Sequence, residues 1–134
     1  MTRVVVPVRY PLTDASKRTL EAAVELARER EAELTVLHVD LYQNDRYVTR
    51  TALKHATERA FGPIDDARYV VRRSFLVEQA ILDEAAEEGA DVVVIGTRQL
   101  SQWRRAIRSL LGEPDVEAYL REHLDCELVT VPDH

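Results

Sequence analysis

The residues of this chain whose types and spacing could do chemistry gather between Gly96 and Gly112. Gly96 and Thr97 close the apolar run Val92 to Ile95, and Arg98, Arg104, Arg105 and Arg108 follow around the only tryptophan, Trp103. A glycine lets a backbone approach a phosphate closely, a hydroxyl donates to it, and a guanidinium grips phosphate or carboxylate through two parallel N–H bonds. The chemistry on offer is therefore anion binding. Arg9, after the first apolar run, is a second cation that would flank such a site, with Val8 and Val39 beside it.

The arginines admit a second reading. With residues 100–111 helical, Leu100, Trp103, Ile107, Leu110 and Leu111 share one face and the arginines the other. Trp103 would then pack on the domain or a dimer mate with Arg104, Arg105 and Arg108 solvated, or Trp103 and these arginines would dock another protein partner. An RNA groove built from the same residues is disfavoured by the formal net charge of −6.

Little else offers chemistry. His38, His55, His123 and His134 are scattered and show no metal-ligand spacing with the lone Cys126. Thr13, Asp14 and Ser16 are explained as helix caps. Asp83-Glu84 and Glu87-Glu88 read as a solvated helix face. The chain has no Walker-type lysine, no paired nucleophile and base and no carboxylate pair in a pocket, so the expectation is a protein that is not an enzyme.

The elements that would position these residues follow in regular order. Arg3 to Val8, Leu34 to Val39, Arg68 to Arg73, Val92 to Ile95 and Cys126 to Val131 read as strands. Four have the near-continuous apolar character of strands covered on both faces, whereas 68–73 is more amphipathic and belongs at an edge. Between them, Leu20, Ala23, Val24 and Ala27, then Leu53, Ala56, Thr57, Ala60 and Phe61, then Val77, Ala80, Ile81, Glu84 and Ala85, and finally Val116, Tyr119, Leu120, His123 and Leu124 fall at helical spacing. Gly62-Pro63 and Gly89 stop two of the helices, Asp115 can cap the last, and Asp40 to about Arg50 reads as a polar loop. Alternating strands and helices imply a doubly wound parallel sheet with helices on both faces, in one α/β domain spanning 1–134. In such a sheet ligands sit beyond the C-terminal ends of the strands, which is where Gly96 falls.

The chain is long enough to bury its own core. No apolar run nears the ~18 residues of a membrane span, and a single cysteine suits a reducing compartment, so the expectation is a soluble, cytoplasmic protein.

With these elements placed, the sequence resembles the universal stress protein family over its full length. The resemblance rests on Val4-Val-Val-Pro-Val8 followed by Thr13-Asp-Ala-Ser16, on Ala32-Glu-Leu-Thr-Val-Leu-His-Val39, on Ile81-Leu-Asp-Glu-Ala-Ala-Glu-Glu-Gly-Ala-Asp-Val-Val-Val-Ile-Gly96, and on Leu110-Leu-Gly112 ahead of a helix and a valine-rich last strand. It implies a Rossmann-like, flavodoxin-like five-stranded sheet ordered 3-2-1-4-5, a homodimer often built through the last strands, and ATP binding in part of the family. The ATP-binding members carry Gly-x2-Gly-x9-Gly-Ser/Thr after the fourth strand. Here Gly96 and Thr97 fit, but Gln99 replaces the second glycine, and Gly112 arrives three residues late and precedes Glu113-Pro114. The aspartate expected after the first strand is replaced by Arg9-Tyr10 in a longer loop, and Ser74-Phe75 stands where a glycine precedes the third helix. A non-glycine forced to positive φ costs about 1–2 kcal/mol, and Glu113 would repel a phosphate.

The sequence therefore leads to a small regulatory or stress-response protein that does not bind ATP in the family's usual manner and needs no cofactor. One alternative is an ATP- or AMP-binding protein using Val8, Arg9, Val39, Gly96, Thr97, Arg98 and Gly112 in a modified loop. Another is an interaction module docking through the Trp103 helix.

Overall fold

A computed structural model describes residues 2–42, 47–97 and 116–132. Its strands are β1 (Arg3–Pro7), β2 (Glu33–Leu41), β3 (Ala67–Ser74), β4 (Val92–Gly96) and β5 (Glu127–Val131). The helices described are α1 (Asp14–Glu29), α2 (Arg50–Phe61), α3 (Val77–Glu88) and α4 (Val116–His123). All strand pairs are parallel and the sheet runs β3-β2-β1-β4-β5, the order the resemblance implied.

The alternation along β1 decides which helices lie where. Val4, Val6 and Val8 pack with Leu20, Ala23 and Val24 of α1 and Leu53 of α2. Val5 faces the other way and joins Leu37, Val93 and Ile95 under Val77, Ala80 and Ile81 of α3 and Leu120 of α4. Two apolar layers thus cover one sheet, as right-handed crossovers require. The order of connection reverses between β1 and β4, so the C-terminal ends of these two strands open the switch-point crevice.

Local signals resolve as the sequence suggested. Thr13 caps α1, its side chain accepting from the Ser16 N–H at 3.1 Å. Gly89 ends α3 at φ 63°, a conformation cheap only for glycine. Thr13→Ala is expected to destabilise the fold by about 1 kcal/mol, read as a lower urea midpoint at unchanged slope.

Three readings need correction. β2 extends through Asp40 and Leu41, both buried, because the Asp40 carboxylate is paired inside the fold; of the rest of the expected loop, residues 43–46 lie outside the described residues. β5 begins at Glu127, and its residues are half-buried or exposed, since it is the sheet's second edge. Glu84 and Glu88 are not solvated: their side chains are 5% exposed, tucked under α3 against β2 and β3.

Candidate functional site

Of the residues expected at the switch-point crevice, Val8, Val39, Gly96 and Thr97 lie toward the C-terminal ends of β1, β2 and β4. Val8 and Val39 are buried, Gly96 ends β4 buried, and Thr97 is exposed with its hydroxyl donating to the Val131 carbonyl at 3.4 Å. Arg9 is held by its backbone: its N–H donates to Ser16 Oγ at 3.4 Å, and that hydroxyl donates to the Arg9 carbonyl at 3.3 Å. Arg98, Trp103, Arg104, Arg105, Arg108 and Gly112 lie outside the described residues, as does Asp115.

At the heads of β1 and β2 the polar groups are turned on one another. His38 is buried, with Nε2 2.9 Å from Asp40 Oδ1 and Nδ1 3.2 Å from both the Tyr10 nitrogen and the Val8 carbonyl oxygen. An ionised Asp40 accepts from Nε2–H, which leaves Nδ1 to accept from the Tyr10 N–H. The second Asp40 oxygen accepts from the Val48 N–H at 2.7 Å. One buried carboxylate thus fixes the imidazole tautomer, the β1–α1 turn and the approach to α2. Tyr10 adds an edge-on ring contact with His38, centroids 6.2 Å apart. Arg9-Tyr10 therefore builds a closed, hydrogen-bonded corner where the resemblance placed an aspartate. The sequence reading of His38 as a satisfied structural histidine holds, whereas Asp40, its partner, was missed. The alternation of β2 continued one residue further would have shown both side chains on one face.

A second polar cluster sits beneath α3. Thr35 Oγ1 donates to Glu88 Oε1 at 2.5 Å, Arg72 Nε donates to Glu84 Oε1 at 2.6 Å, a terminal Arg72 nitrogen meets Glu87, and Arg68 stands 3.5 Å from Glu88. Burial, and then the hydrogen bond to Glu84, pushes the Glu88 carboxyl up to about 7. Burial works against ionised Glu84 too, yet hydrogen bonds from Glu88 and Arg72 hold it below the usual carboxylate range. Glu88 Oε2 is buried without a hydrogen-bond partner among the described residues, a setting that favours the neutral carboxyl. The side chains of both carboxylates are almost fully buried beneath the helix.

The remaining candidates have structural work. Asp91 Oδ2 accepts the Arg3 N–H at 2.9 Å at the sheet's N-terminal end. Cys126 is half-buried, and burial together with Asp91, Asp125 and Glu127 raises its thiol, so it is a poor thiolate nucleophile. His123 stacks on Tyr119, rings 4.1 Å apart, and is exposed. Among the described residues no group of three or more His, Cys, Asp and Glu could hold a metal ion, and no helix is long and apolar enough to cross a membrane.

The composition of one corner was not foreseen. Tyr42, Tyr47, Phe75 and Leu76 are the exposed large apolar residues among those described, and all lie about the C-terminal ends of β2 and β3. Tyr42 and Phe75 pack with ring centroids 4.6 Å apart, and the Arg73 guanidinium lies over both tyrosines.

Comparison with known proteins agrees with this architecture. The model of the universal stress protein family matches residues 1–132. Universal stress protein YxiE of Bacillus subtilis is 30% identical over 114 residues, covering 66% of this chain and 75% of its own. Among solved structures, a universal stress protein in complex with cAMP aligns at 22% identity over the whole of both chains, with a TM-score of 0.68. One from Archaeoglobus fulgidus in complex with dAMP gives 18% identity, 97% coverage of each chain and a TM-score of 0.65. One from Arabidopsis thaliana with AMP bound gives 20% identity over 100% of this chain and 93% of its own, at a TM-score of 0.66. By fold, strand order and this end-to-end match, the chain belongs to the universal stress protein family.

Proposed function

We propose that this is a non-catalytic, cytoplasmic regulatory protein of the stress response whose switch-point crevice does not take ATP in the manner of the family's ATP-binding members. The observation that carries this reading is the closed corner at the heads of β1 and β2. There Tyr10 N–H, His38, Asp40 and the Val48 N–H satisfy one another, so these donors are not offered to a ligand. The loss of the second glycine at Gln99, and of the Ser or Thr after Gly112, supports the same conclusion from the sequence. The half-exposed edge strand β5 supports a homodimer paired through that edge, to be checked by sedimentation at micromolar concentration.

A second reading, nucleotide binding through a modified loop, draws support from the solved relatives with cAMP, dAMP and AMP. Thermal unfolding with millimolar ATP, ADP and AMP, each with and without magnesium, separates the two. A ligand at ~100 times its dissociation constant adds roughly 2.7 kcal/mol, worth roughly 8–15 °C in a domain of this size. The expected shift is at most about 2 °C, corresponding to sub-saturating contact elsewhere on the surface. A shift in the larger range overturns the first reading in favour of the second.

A further inference from the structure

A groove of about 560 Å³ runs along the outer edge of β3, on the flank of the sheet two strands away from β1. That volume lies within the range of small-molecule sites. Its walls are Tyr47, Val48 and Arg50 at the entry to α2, and Tyr69, Val71 and Arg73 of β3, with Asp40 at one end.

The groove's charge runs against that of the protein. Three guanidiniums line it, Arg50, Arg68 and Arg73, against the single carboxylate of Asp40, in a chain of net charge −6. Asp40 is already engaged through both oxygens, and Arg68 leans towards Glu88. Asp40 is the register partner of Arg73 on β2, but its oxygens are turned to His38 and the Val48 N–H, and neither Arg50 nor Arg73 forms an ion pair among the described residues. Arg50 is anchored by its Nε, which donates to the Tyr69 carbonyl at 2.9 Å and leaves the terminal nitrogens of the fork to point elsewhere. It is the first residue of α2, whose first turn holds no acidic residue, so the positive end of the helix adds to its field. Arg73 is aimed by the rings, its Cζ 4.1 Å from the Tyr47 centroid and 4.8 Å from that of Tyr42. Contact with ring faces orients a guanidinium but neither cancels its charge nor uses its in-plane N–H donors. Tyr47 is 69% exposed, leaving ring surface open for stacking.

We propose that this groove binds a small aryl phosphate, with the phosphate between Arg50 and Arg73 and the ring against Tyr47. Two forks and a helix N-terminus suit a dianion held bidentately, and an aromatic face gives the ring its place. Residues 69 and 73 stand ~13 Å apart along the strand, so side chains reaching inward from either end leave room for one such molecule. An added peptide strand does not fit, because Arg50 already covers the outward carbonyl of Tyr69. The proposal is independent of what the switch-point crevice holds.

The test is titration of ¹⁵N-labelled full-length protein with phenyl phosphate, inorganic phosphate and phenol. Phenyl phosphate is expected to give saturable shifts at the amides of Tyr47, Val48, Arg50, Val71 and Arg73, inorganic phosphate weaker ones there, and phenol none. Arg50→Gln and Arg73→Gln, both at exposed positions, are expected to raise the dissociation constant at least about tenfold. Tyr47→Ala is expected to make phenyl phosphate bind no more tightly than inorganic phosphate. Absence of saturable shifts at these amides, equal affinity in the arginine variants, or equal affinity of phenyl and inorganic phosphate for the unaltered protein each overturns the proposal. Shifts confined to Val39, Gly96 and Thr97 would overturn it and also count against the reading of the crevice, whereas shifts at both places would leave the groove standing alone.

Discussion

Asp40→Ala is expected to lower the unfolding free energy by about 2–4 kcal/mol, more than any surface carboxylate of this protein would cost. The carboxylate is buried and accepts from two groups that have no nearby substitute, His38 Nε2 at 2.9 Å and the Val48 N–H at 2.7 Å. Removing it strands an imidazole donor beside β1 and loosens the chain leading into α2. Urea unfolding measures the loss as a lower midpoint. Asp40→Asn keeps one acceptor oxygen and is expected to cost about half as much. If both variants unfold at the midpoint of the unaltered protein, the closed corner contributes nothing, and the argument against a ligand there loses its physical basis.

Glu88→Gln is expected to stabilise the protein at alkaline pH and to flatten its pH dependence. The Glu88 carboxyl titrates near 7 in the fold against 4.5 for an unperturbed group, because burial and Glu84 favour its neutral form. The folded state then binds more protons than the unfolded chain between these values. Stability from this group is complete at low pH and is lost as the pH rises through the window. Glu84, held low, acts in the opposite sense: its contribution is present above its unfolded value and fades only under more acid conditions. Between pH 5 and 8.5 the unaltered protein is expected to lose roughly 2 kcal/mol through Glu88. Glutamine keeps an oxygen for Thr35 and an N–H for Glu84 and has no proton to give up. Urea midpoints at pH 5, 7 and 8.5 for both proteins decide the matter, and parallel pH dependences would contradict the assignment.

The sheet was legible because its determinants are local. Val4, Val5 and Val6, and Val92 to Ile95, carry no polar alternation, and Gly62 and Gly89 stop helices at positive φ. Placing 68–73 at an edge followed from Arg68, Arg72 and Arg73 in one strand. The carboxylates of α3 misled for a physical reason. Glu84 and Glu88, four apart, share a helix face with the apolar Val77, Ala80 and Ile81, but a glutamate is buried only when a partner meets it, and Arg72 and Thr35 arrive from other elements. The His38–Asp40–Val48 link and the β3 groove depend in the same way on segments distant in sequence. Val8, Val39, Gly96 and Thr97 could be placed toward the C-terminal ends of their strands because the fold alone determines where strand ends lie.

The central claim, that the crevice between β1 and β4 is not an ATP site of the family's kind, is tested most directly by following backbone amides of the ¹⁵N-labelled protein during titration with ATP and magnesium. The account expects the amides of Val39, Gly96 and Thr97 to stay in place to millimolar nucleotide. Saturable movement of Gly96 and Thr97 at micromolar ATP would contradict it and establish a nucleotide site in the crevice.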